Sequence, residues 1–256
     1  TDKAKKISIN TVVMKIICEG LMAAPKMNCH LKFERKLVRG KLLYHNRVNV
    51  SMPVVLPDGR MMTVNLRHME SKSLLKMTEI INDTMRRMQN TNMDEAMFEV
   101  SLDNTLKGLK KGKIKQAVLR LIGSKTGKHK VRTLKGKAKK QYYSIPERDR
   151  LTKKDIEQGT VTISNLGSIH RDQTGMCFLL EIIPPQVTAI AVNAVQKKPT
   201  VVTDENGNDT IEIRQILPLT IAFDHKALDY CDVLPFMKRL DEIFANPSVI
   251  HDWKGE

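Results

Sequence analysis

The sequence predicts an α+β fold, a mixed sheet with flanking helices, on three observations. Apolar residues recur at helical spacing in several separated stretches, strand-like runs lie between them, and the two do not alternate as a doubly wound sheet requires. At 256 residues, 41% of them apolar, the chain can bury a full core. We read 1–256 as one domain, with no internal repeat.

Ile9, Val12, Val13, Ile16, Ile17 and Leu21 predict an amphipathic helix over residues 8–24, with Ser8 as N-cap and Pro25 as its stop. Short runs over 31–64 (LKF, KLLY, VNVSMPVVL, MMTV) then read as strands, two of them joined as a hairpin at Pro57-Asp58-Gly59. Helical spacing returns over 71–89 through Leu74, Leu75, Met77, Ile80, Ile81, Met85 and Met88, with Ser71 or Ser73 as cap. That methionine stripe reads as core packing. Ile114, Val118, Leu121 and Ile122 mark a short helix among lysines, whereas 124–140 is rich in Lys and Gly and aperiodic. Beyond Asp155, strand-like runs (TVTIS, VTAIAVNAV, TVV, TIEIRQIL, LTIAF) precede a last amphipathic helix, 233–244, before Asn246-Pro247.

The net charge of +15 is local. Residues 105–154 hold 18 Lys and Arg against Glu147 and Asp149, so the rest of the chain carries a net charge of −1. A basic, partly mobile insertion at about 105–150 is expected, with an anionic surface as a partner of 107–140 and no specific nucleic acid, since only Tyr142 and Tyr143 offer stacking faces. Cys18, Cys29, Cys177 and Cys231 are far apart, which suits neither a zinc site nor a disulfide framework; no metal is expected, and all four read as small buried hydrophobes. No apolar run is long enough to span a bilayer, and residues 1–6 are polar and basic, so a cytoplasmic setting is expected.

Two motif-like stretches fail on spacing. Residues 123–128, Gly-Ser-Lys-Thr-Gly-Lys, lack the phosphate-loop pattern, and the acidic tip at 204–209 puts Asp209 at the glycine position of a calcium loop and Gln215 at its closing glutamate. Two others belong together: residues 159–167, Gly-Thr-Val-Thr-Ile-Ser-Asn-Leu-Gly, and, 61 positions after Ser164, Asp224-His225-Lys226-Ala227-Leu228-Asp229. An isolated H-x-x-x-D is weak in a chain with seven histidines; the ordered pair is specific.

On these residues, with Pro184-Pro185-Gln186 and Asn246-Pro247, the chain resembles the catalytic domain of the 2-oxo acid dehydrogenase dihydrolipoyl acyltransferases, relatives of chloramphenicol acetyltransferase. The resemblance covers most of the chain outside about 105–150. It implies a chloramphenicol acetyltransferase-like sandwich, acyl transfer between coenzyme A and a dihydrolipoyl thiol, and a lipoyl group on a separate or upstream carrier domain. It implies His225 as general base, Ser164 as oxyanion donor, and Asp229 as an ion-pairing residue that fixes structure around the histidine; Asp229 also suits the cap of the last helix. It further implies a homotrimer or a larger assembly of trimers, the histidine coming from one subunit and the serine from its neighbour. The chemistry fits those residue types: a thiol is mostly protonated at neutral pH, an imidazole can take its proton, and a hydroxyl can stabilise the tetrahedral oxyanion. Two positions depart from the family pattern, Lys226 where it has arginine and Tyr230 where it has glycine. Two other readings stay open: a free-standing acyl-CoA transferase for a small-molecule acceptor, and a catalytically degenerate scaffold that binds through its basic insertion.

Overall fold

The computed structural model describes residues 6–56, 59–110, 112, 114–126, 133–169 and 174–255. Helix α1, Ile9–Ala23, starts where Ser8 caps it, the Thr11 amide donating to Ser8 Oγ at 3.2 Å. Strands β1, Cys29–Glu34, and β2, Arg39–Tyr44, form an antiparallel hairpin, and β3, Val50–Val55, pairs antiparallel with β4, Met61–Leu66. Pro57 and Asp58 of the expected turn lie outside the described residues. Helix α2, Leu74–Gln89, is capped by Ser73. Three more helices follow: α3, Met93–Lys110, α4, Ile114–Lys125, and α5, Gly136–Ser144. After a single turn, α6 at Lys153–Ile156, come β5, Val161–Asn165, and a second turn, α7 at Leu166–Ile169. The chain closes with β6, Thr188–Val192, the long hairpin β7, Gln196–Thr203, and β8, Asp209–Ile216, then β9, Leu219–Phe223, α8, Tyr230–Ala245, and the short α9, Val249–Asp252.

The central sheet has the order β4-β3-β5-β6-β9. Both neighbours of β5 run parallel to it and the outer pairs are antiparallel, which makes the sheet mixed, as expected. One apolar cluster joins Ile17 and Leu21 of α1 and Phe236, Leu240 and Ile243 of α8 to Val50, Val161, Ile163 and Ile190 of the sheet. Full burial of a side chain such as Phe236 contributes about 2–3 kcal/mol relative to exposure. Helices α1 and α8 meet at Gly20, where a Cβ would stand 2.7 Å from atoms of Phe236 and Leu240. Among the described residues no helix is long and apolar enough to cross a membrane.

Helix α3 has no counterpart in the sequence reading, and α5 begins inside the stretch expected to be aperiodic, 124–140, and runs beyond it. Its stripe is weak, and what holds it is polar. Asn92 Oδ1 accepts from the Glu95 amide at 3.1 Å and starts the helix; the fully buried Glu95 carboxylate then accepts from the Leu134 amide at 2.9 Å and the Tyr143 hydroxyl at 3.0 Å, and pairs with Lys139 at 3.3 Å. Such long-range partners leave no periodic trace in a sequence. Residues 127–132 of the expected mobile insertion lie outside the described residues.

The cysteine expectation holds for two of four: Cys18 and Cys29 are buried, Cys177 is half-buried and Cys231 exposed. Burial pushes the Cys18 thiol up to about 12 and Cys29 to about 11, which makes both inert at neutral pH.

Two measurements test this packing. Gly20→Ala should destabilise the chain by about 1–2 kcal/mol in urea unfolding, because overpacking against Phe236 outweighs the gain in helix propensity; an unchanged midpoint would contradict the close approach. His30 and His45 stack edge to face at 4.3 Å, and burial holds both below the ordinary histidine value, with mutual repulsion adding to the effect at His30. The unfolded chain therefore binds more protons just below pH ~6.5, so stability should fall as pH drops through that region. The double variant His30→Gln/His45→Gln should flatten this slope.

Candidate functional site

Much of the 159–167 motif serves to hold β5 in place. A Cβ at Gly159 would overlap the Asn49 carbonyl oxygen, so only glycine lets the chain enter beside β3. Thr160 pairs with Asn49 in both directions, its Oγ1 accepting from the Asn49 amide at 3.0 Å and its amide donating to the Asn49 carbonyl at 2.7 Å. The Thr162 hydroxyl donates to Gln186 Oε1 at 2.6 Å, and Gln186 Nε2 donates to the Gly159 carbonyl at 2.9 Å and Ser51 Oγ at 3.2 Å. This buried network ties the Pro-Pro-Gln turn to the start of β5. Ser164 differs: among the described residues its hydroxyl has no hydrogen-bond partner. Side chains alternate along β5, so Ser164 shares the face of Thr162, whereas Ile163 and Asn165 face an apolar cavity of about 460 Å³ that α1 and α2 also line.

His225 sits on the turn between β9 and α8. Asp224 extends the sheet by one further bond, its amide donating to the Val187 carbonyl at 2.8 Å, and its carboxylate accepts from the Lys226 amide at 3.0 Å. Asp229 then begins α8, paired with Asp232 in a capping box. Asp229 thus stands both at the N-cap of α8 and beside the His225 ring. Its Oδ1 lies 3.4 Å from His225 Nδ1, and the Leu228 carbonyl lies closer, at 2.9 Å. A carbonyl oxygen only accepts, so Nδ1 carries the proton of the neutral ring and Nε2 keeps its lone pair. The His225 side chain is 78% exposed and opens on a cleft of about 620 Å³ whose walls include Leu31, Phe33, Leu180, Ile182 and Phe223. Lys226 is exposed and 3.8 Å from Asp224, and Tyr230 is exposed at the first position of α8.

The structure brings His225 and Asp229 together and holds Ser164 apart. Ser164 is level with Ala191 of β6 and Thr220 of β9, whereas His225 lies five residues past Thr220. To the end of β9 at Phe223 that offset is already about 10 Å along the strands, and two inter-strand spacings add about 10 Å across them. Within one chain the two side chains cannot flank a single carbonyl. The sequence reading missed the Leu228 carbonyl, whose only trace is its place three residues after the histidine, and the hub role of Gln186.

The family described as 2-oxoacid dehydrogenases acyltransferase (catalytic domain) matches residues 1–101 and 130–251. A curated relative, the dihydrolipoyllysine-residue acetyltransferase component of pyruvate dehydrogenase complex from Mycobacterium tuberculosis, is 32% identical over 83 residues. That match covers 32% of this chain and only 14% of the relative. Two solved structures share the fold. One is the cubic core of the pyruvate dehydrogenase multienzyme complex, with a TM-score of 0.56 at 18% identity over 96% of this chain and 71% of that one. The other is a dihydrolipoamide acetyltransferase from Azotobacter vinelandii, with a TM-score of 0.57 at 18% identity and the same coverage, in whose catalytic mechanism a serine, a histidine and an asparagine were investigated. The fold is therefore that of the acetyltransferase cores. The chain belongs to the 2-oxoacid dehydrogenase acyltransferase family.

The ring geometry is directly testable. Nitrogen-15 NMR of the imidazole at alkaline pH should report the Nδ1-protonated tautomer of His225; an Nε2-protonated ring would mean that the Leu228 carbonyl does not direct it.

Proposed function

We propose that this chain is one catalytic domain that transfers an acyl group between coenzyme A and a dihydrolipoyl thiol, at sites formed between copies. The observation that carries the reading is the His225 ring, with Nδ1 directed at Leu228 and Nε2 free toward the cleft. Nε2 takes the proton of the attacking thiol as its sulfur bonds to the thioester carbonyl carbon. The carbonyl oxygen gains the negative charge, and Ser164 of a neighbouring copy donates to it. When the intermediate collapses, the carbon–sulfur bond to the first carrier breaks and the departing thiolate takes the proton back from His225. Asp229 keeps the ring oriented. A serine, a histidine and an asparagine studied in the Azotobacter vinelandii enzyme support the choice of Ser164, His225 and Asp229, the last with a carboxylate in place of the amide.

The separation of Ser164 and His225 within one chain supports a trimer in which adjacent copies complete each site, and the cubic core of a structural neighbour supports larger assemblies of trimers. The acyl acceptor would be presented by a lipoyl carrier domain. Four unpaired cysteines fit a reducing, cytoplasmic setting.

Acetyl transfer from acetyl-CoA to dihydrolipoamide tests the reading. His225→Ala should lower kcat by about 10²–10⁴, and Ser164→Ala by about 10²–10³. When the two inactive variants are dissociated and reassembled together, about a quarter of the wild-type activity should return, the share of sites that random mixing leaves intact. Activity unchanged by His225→Ala overturns the mechanism, and no recovery on mixing overturns the shared site. Transfer to amines or alcohols in place of the dithiol would reassign the acceptor to a small molecule.

A further inference from the structure

Residues 102–129 lie outside the family match, and those of them at 102–110 and 114–125 form the outer half of α3 and helix α4. This stretch holds eight Lys and Arg against a single acid, Asp103, which is already paired with Lys107 and Lys153. Lys110, Lys115 and Arg120 are exposed and have no ion pair among the described residues. The same helices leave aliphatic side chains in water. Leu106 and Leu109 on α3, and Ile114, Val118, Leu121 and Ile122 on α4, are between 38% and 63% exposed, and within each helix they recur at the three- and four-residue spacing of a helical stripe. Helix α4 packs against α3, and Ala117 is its buried apolar residue, whereas the larger apolar residues of α4 stay exposed.

We propose that this helical projection docks on an anionic membrane surface, with the lysines and arginines at the headgroups and the Leu, Ile and Val side chains in the acyl boundary beneath them. Both halves of the surface are needed for that occupant and fit others poorly. A second copy would bring like charge against like charge. A nucleic acid would use the cations but has no use for aliphatic side chains, and the stretch contains no Phe, Tyr or Trp on which a base could stack. An interface of acidic headgroups over hydrocarbon takes cations and aliphatic groups together. The acyl-transfer reading is independent of this proposal.

Flotation of the full chain with phosphatidylglycerol-containing vesicles, and with phosphatidylcholine vesicles alone, is the test. Binding is expected only to the anionic vesicles, weakening between about 0.05 M and about 0.5 M salt. The triple variant Lys110→Gln/Lys115→Gln/Arg120→Gln should lose on the order of a hundredfold in partitioning, one basic residue at a time contributing about fivefold. Val118→Gln/Leu121→Gln should lose at least about tenfold. All five positions are exposed and Gln is a good helix former, so the circular dichroism melt should stay unchanged and separates lost binding from lost fold. Absence of binding at low salt overturns the proposal, as does binding indifferent to the triple variant. Vesicle binding that survives Val118→Gln/Leu121→Gln overturns the apolar half, and if an oligonucleotide duplex also binds more tightly than vesicles, the surface is a nucleic-acid site.

Discussion

The register of β5, β6 and β9 sets what one copy of this chain can do alone. Parallel pairing of Ser164 with Ala191, and antiparallel pairing of Ala191 with Thr220, fix the hydroxyl at one end of the sheet. The same register sends β9 away toward the opposite end before it delivers His225. A slip of one residue would also turn Ile163 out of the core, so the register is defended by apolar burial as well as by backbone bonds. The distance between the two groups is therefore a property of the fold, insensitive to side-chain rotamers, and chemistry that needs both groups calls for a second molecule.

The two motif stretches divide their labour unequally. Gly159 and Thr160 act on the backbone at Asn49, just before β3, and Thr162 on Gln186, so these three positions of the first stretch have steric and hydrogen-bonding roles. In the second stretch, Asp224 shapes the turn, Leu228 offers its carbonyl, and Asp229 combines a helix cap with a place beside the ring. One short turn thus fixes the tautomer, the orientation and the exposure of His225. Lys26 supports it from α1's side of the core: its ammonium donates to Asp232 at 2.6 Å, and this bond holds the Asp232 carboxyl below the usual carboxylate range, where it serves the cap.

Elements with a strong period were legible in the sequence. Helices α1 and α2 emerged with their serine caps, and all five strands of the central sheet were found, because burial writes an apolar repeat on a half-buried element and an apolar run on a fully buried one such as β6. Helix α3 and helix α5 were not, since Glu95, Lys139 and Tyr143 hold them through polar contacts that span some forty to fifty residues. Within the candidate site, His225, Asp229 and Ser164 were all offered by the paired motif and the resemblance it carries, since an isolated H-x-x-x-D is weak among seven histidines. The distance between serine and histidine was beyond the sequence, because strand order and register are tertiary facts.

The buried Glu95 carboxylate has one more consequence. It pins the inner end of α3 to residue 134 and to α5, so the stretch between them has two anchored stems. Closing a longer excursion between fixed stems costs only about 0.6 kcal/mol for each doubling of its length. Evolution, or a protein engineer, can therefore lengthen, shorten or exchange this stretch as a cassette without altering the central sheet.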